Sequence, residues 1–168
     1  MRRRFLHRRM GGFSLVELMV VVGIVAILAA FAAPNMRDMV RKQRVRTTSF
    51  DVFSSLTLAR SEAIKRNVSV TMTPTGGSWA AGWKVAADLA ASGDANGVEL
   101  RRQGSVSSVT MSGPASVTYN GTGRLAAAVA PFQMTADVSG AQEGGATTTS
   151  RCVSVDLSGR PVSKIGAC

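Results

Sequence analysis

Residues 13–33, "FSLVELMVVVGIVAILAAFAA", form an unbroken apolar run of 21 residues with one carboxylate, Glu17, near its start. As a helix the run is about 31 Å long, enough to cross a bilayer once. It exceeds the roughly 7 to 15 residues of a signal-peptide core. A carboxylate at the centre of the hydrocarbon costs roughly 2 to 3.5 kcal/mol on insertion scales. Glu17 therefore needs a compensating partner.

Charge is distributed unevenly around this run. Residues 1–12 carry five arginines and no acid, for +5; residues 13–66 carry eight basic and four acidic residues, for +4. Residues 67–168 carry seven basic and six acidic residues, leaving +1 of the total +10. A nearly neutral C-terminal part excludes a broad nucleic-acid surface and allows only local basic patches. The loop-charge rule does not orient the run, because Arg37, Arg41, Lys42, Arg44 and Arg46 balance the leading arginines.

Beyond Pro34 the helical pattern resumes. Phe50, Phe53, Leu56, Ala59 and Ala63 recur at three- and four-residue steps and predict one apolar stripe. Lys65 and Arg66 favour a helix end near Asn67. Pro34 lacks an N–H and should kink the helix without ending it. Residues 13–66 then make a rod of about 80 Å. From Val68 the segments "VSVTMT", "GWKVAA", "SVSSVTM", "SVTYN", "PFQMTAD" and "RCVSVDL" are short, alternating and rich in Val and Thr. Gly, Pro, Asn and Ser separate them, which predicts antiparallel strands forming a small sheet. "GDANG" (93–97) reads as a turn and "SGAQEGGATTTS" (139–150) as a polar loop. The fold class is α+β, a long kinked N-terminal helix on a small antiparallel sheet.

The residues around Glu17 carry a resemblance. "GGFSLVELMVVVGIVAILA" resembles the class III signal of type IV pilins and type II secretion pseudopilins. The resemblance implies cleavage by a prepilin peptidase between Gly12 and Phe13, methylation of the new amine, Glu17 as fifth mature residue and a helix kink at Pro34. The domains are then a leader (1–12), a transmembrane and assembly half-helix (13–34), an amphipathic half-helix (35–67) and a β-rich head (68–168). The Phe13 amine of one subunit can pair with Glu17 of its neighbour and remove two unpaired charges from an apolar core. The implied location is the inner membrane, single-pass, with a periplasmic head assembled into a pilus or pseudopilus.

Further segments are similar to the GspH/FimT group: "SLTLARSEAIKRNVSVTM" (55–72), "SWAAGWKVAAD" with "VELRRQG", and the glycine-arginine turns "YNGTGRL" and "VSVDLSGRPV". This resemblance implies a FimT-like minor pilin of a type IV pilus that primes assembly alongside other minor and major pilins. The alternative is an H-type minor pseudopilin of a type II secretion system. Some FimT-type pilins bind DNA through a glycine-arginine-x-arginine turn. Here the matching positions are Gly159 and Arg160, with Val162 replacing the second arginine and Lys164 two residues on. DNA binding through Arg160 and Lys164 is then expected to be weak.

Competing readings stand beside these. "RRRFL" with "AFAAP" (30–34) fits a twin-arginine export signal and a soluble product, which Glu17 and the continuing helix oppose. Cys152 and Cys168, both in the last 17 residues, read as one disulfide in an exported head and as two thiols in the cytosol. A zinc site lacks ligands, because the only histidine is His7. Trp79 and Trp83 read as packing residues. Asp94, Asn96 and Gly97 read as a turn, since EF-hand spacing is missing. No catalytic residue, metal or cofactor is expected.

Overall fold

A computed structural model describes residues 13–88, 97–136 and 149–168, the side chains of 30–38 apart. The leader with Gly12, the 93–96 turn and most of the 139–150 loop lie outside the described residues. The chain divides into two units, residues 1–37 and 38–168.

Helix α1 spans Leu15–Arg66. Ser14 caps it: its hydroxyl accepts from the Glu17 N–H at 3.2 Å, and its carbonyl accepts from Leu18 N–H at 3.1 Å. Ser14 and Glu17 have the spacing of a capping box, and a carboxylate in the first turn favours the positive end of the helix dipole. Every described side chain of residues 13–29 is exposed. Among the described residues no helix is long and apolar enough to cross a membrane. The apolar run continues in the sequence to Ala33, past the last described side chain, Ala29. Pro34 falls within α1, and the kink expected there lies outside the described side chains.

In the second unit, α1 buries Val45, Thr48, Ser49, Val52, Ser55, Leu56, Ala59 and Ala63. This face differs from the expected stripe at its start: Phe50 is 67% exposed and Phe53 only half-buried. Small and β-branched residues line the covered face there, so the backbone approaches the sheets closely and the phenylalanines turn outward. Asn67 ends the helix with a positive φ of 53°, a conformation Asn tolerates at this position.

Among the described residues eight antiparallel strands follow, in two four-stranded sheets. The first has the order β3-β2-β1-β5: β1 (Val70–Thr75), β2 (Ser78–Ala87), β3 (Val98–Gln103) and β5 (Val117–Tyr119). The second has the order β4-β6-β7-β8: β4 (Val109–Ser112), β6 (Phe132–Ala136), β7 (Ser150–Val155) and β8 (Pro161–Ile165). The strands thus divide between two sheets where one was expected. The chain leaves the second sheet at Gly113-Pro114, where proline cannot continue the ladder. There a Cβ on Gly113 would meet the Phe132 ring at 2.7 Å.

One core joins α1 to both sheets. It includes Leu56 and Ala59 of α1, Met72, Trp83 and Val85 of the first sheet, and Phe132, Met134 and Val153 of the second. Trp79 and Trp83 pack as the sequence suggests. Trp79 meets Phe132 edge-on at 4.8 Å and donates to the Pro114 carbonyl at 2.8 Å. Trp83 donates to Ser55 Oγ on α1 at 2.9 Å, so the buried indole N–H is satisfied.

Candidate functional site

Two turns in the head share one plan. In residues 120–124, "NGTGR", Asn120 Oδ1 accepts from Thr122 N–H (3.1 Å), Thr122 Oγ1 (2.6 Å) and Arg124 N–H (3.1 Å). In residues 156–160, "DLSGR", Asp156 Oδ1 accepts from the Ser158 hydroxyl and from Arg160 N–H at 3.1 Å. Each has an amide or carboxylate first, a hydroxyl third, a glycine fourth and an arginine last. Gly123 and Gly159 hold positive φ values of 75° and 80°, which favours glycine. The Ser158 hydroxyl, followed by Arg160 N–H, holds the Asp156 carboxyl below its ordinary pKa.

The turns are packed together and fastened to α1. Leu125 N–H donates to the Leu157 carbonyl at 3.3 Å. Arg60 of α1 donates through Nε to the Gly123 carbonyl (3.1 Å) and through Nη2 to the Ser158 carbonyl (3.2 Å). Its planar fork suits two acceptors on different loops. Tyr119 lies beneath, its hydroxyl buried without a hydrogen-bond partner among the described residues. Burial pushes its pKa up.

Outward from this clamp project Arg124 and Arg160, both exposed. Lys164 is exposed on β8 beside Cys152 on β7. Arg124, on the turn packed against the Arg160 turn, adds a third exposed cation to Arg160 and Lys164, and the repeated Asn/Asp-x-Thr/Ser-Gly-Arg pattern is its signal in the sequence. Cys152 and Cys168 are disulfide-bonded with Cα atoms 5.1 Å apart. Cys168 N–H donates to Gln133 Oε1 at 2.7 Å, so the chain end is tied to β6 and β7. Phe13 and Glu17, in the first unit, are exposed. Among the described residues no three His, Cys, Asp or Glu side chains gather as metal ligands.

Two family models match the chain. "Type II transport protein GspH" matches residues 51–159, and the "Prokaryotic N-terminal methylation motif" matches residues 7–33. The chain belongs to the GspH family of type IV pilin-like subunits. It is a minor pilin or pseudopilin by that membership, a structural class. Crystal structures of the Pseudomonas aeruginosa (strain PAO1) type IV minor pilin FimU in two space groups share its fold at 18% identity. The P21 form has a TM-score of 0.55 over 75% of this chain and 96% of that one. The P65 form has a TM-score of 0.52 over 73% and 98%. No curated protein sequence matches the chain.

Proposed function

We propose that the chain is a FimT-like minor pilin that primes assembly of a type IV pilus. The observation that carries this reading is the N-terminal methylation motif over residues 7–33 on a helix start whose apolar side chains are exposed on all sides. An apolar surface of that extent is covered in the functional state, by lipid before assembly and by neighbouring helices after it. Prepilin peptidase removes residues 1–12. Residues 13–34 anchor the subunit in the inner membrane and later pack in the filament, with a kink at Pro34. Residues 35–67 carry the head, 68–168, on the periplasmic side. Glu17, in the first turn of α1, pairs with the methylated Phe13 amine of a neighbour.

The alternative within the same chemistry is an H-type minor pseudopilin of a type II secretion system. Deletion of the chain separates the two: loss of pili supports the first, and loss of secreted protein with normal piliation supports the second. Changing Glu17→Ala tests the pairing. The variant should remain in the membrane, since a charge has left an apolar helix, yet fail to enter filaments. Normal incorporation contradicts the pairing.

Weak DNA contact during uptake is a second role, favoured by the adjoining turns that add Arg124 to Arg160 and Lys164. Three phosphate contacts give a log–log salt slope on the order of −3. A slope near zero, or binding unchanged by Arg160→Ala, removes this role.

A further inference from the structure

The outward phenylalanines of α1 line a groove that neither sheet covers. Arg46, Phe50 and Phe53 follow one another at helical spacing and form one wall. Arg151 of β7 and Ser163 of β8 form the other, around a volume of ≈ 280 Å³. Ser163 Oγ and Ser49 Oγ, 3.0 Å apart, fasten β8 to the helix. Ile165 is 82% exposed, pairs with Arg151 across the ladder and shares the face of Ser163.

The lining holds two phenylalanines, with an arginine on each wall, and no acidic residue among the described residues lines it. We infer that this groove docks a different pilin-fold subunit, taking from it an apolar side chain with an adjacent aspartate or glutamate. The inference rests on the reading that the chain assembles with other pilin-like subunits, and it names the surface and chemistry of one such contact. The phenylalanine walls suit a protein side chain, and the paired arginines supply orientation and partner choice.

Among the described residues, the charges of this chain favour a different subunit over a second copy. Among the described carboxylates of residues 51–168, Glu62 is bound by Arg66 and Lys65, and Glu99 by Arg102. Asp156 is consumed inside its turn, and Asp88 is engaged as well. Asp51 is half-buried and lines a separate polar cleft with Arg44 and Gln103. None of these is an exposed carboxylate without a partner.

The test uses the full chain in cells that produce its filament. Phe50→p-benzoylphenylalanine places a photoreactive group in the groove, and Val98→p-benzoylphenylalanine, on β3 of the other sheet, is the control. Irradiation should give one adduct from position 50 to another pilin-like subunit, at an apolar residue beside Asp or Glu, and none of that kind from position 98. Arg46→Glu with Arg151→Glu should lower its yield about ten-fold, and reversing the partner's carboxylate to arginine should restore it. An adduct to a second copy or to nucleic acid, no adduct, or a yield indifferent to charge reversal overturns the inference. Incorporation is scored in the same cells. A normally incorporated chain without the adduct sinks the groove alone, whereas a chain never incorporated sinks the assembly reading and the groove with it.

Discussion

A Cβ built on Gly159 would stand 2.1 Å from the carbonyl oxygen of Gly123. The two arginine turns therefore meet through backbone, with no room for a methyl group, and Gly159 also holds a φ of 80°. Gly159→Ala should destabilise the head by at least about 2 kcal/mol, from φ strain and overpacking together. Gly104→Ala, with open space around it and no positive φ, should change stability by no more than about 0.5 kcal/mol. Urea denaturation of the detergent-solubilised protein compares them, and equal midpoints would show that the turns do not press together.

The acid side of the stability curve should depend on Asp156. Its folded pKa is depressed, chiefly by the Ser158 hydroxyl. Its contribution is therefore present above the unfolded value of about 4 and is lost as pH falls through the folded value. Asn120 shows that an amide oxygen supports the same turn. Asp156→Asn should thus fold and show a smaller stability difference between about pH 7 and about pH 3. Glu62, held low first by Arg66, and Glu99, held low first by Arg102, remain to give the rest. An unchanged difference would remove Asp156 from the acid response.

Reduction of the Cys152–Cys168 bond, which closes a separation of 16 residues, should lower stability by about 3 kcal/mol in the chain-entropy account. The Gln133 hold on Cys168 N–H should loosen with it, raising amide exchange at the chain end. Equal denaturation midpoints with and without reductant would mean that the tail is held by other contacts.

Much of this fold is legible in the sequence because its signals are local. The helix stop at Lys65, Arg66 and Asn67, the alternation in β2 and the Gly-Arg turns each sit within a few residues. The phase of the helix face is less so. Phe50 and Phe53 are the most apolar residues near that end, yet Val45, Thr48, Ser49 and Val52 are covered. Close approach of helix to sheet favours small side chains, and hydrophobicity alone does not express that. Strand β8, "PVSKI", carries no strand signal because four of its five side chains are exposed and leave no alternation. The division into two sheets and the contact of Gly123 with Gly159 come from pairings dozens of residues apart. Arg60, which joins those turns, sits in the sequence as one more helical cation.

The central claim is that residues 1–12 are a leader and Phe13 the mature N-terminus of an assembling subunit. Intact-mass and N-terminal peptide mass spectrometry of the membrane-extracted protein measures this directly. The account predicts a chain beginning at Phe13 and carrying one methyl group on its amine, lost in cells without prepilin peptidase. A mature chain beginning near Ala33, as a conventional export signal would leave, would contradict it.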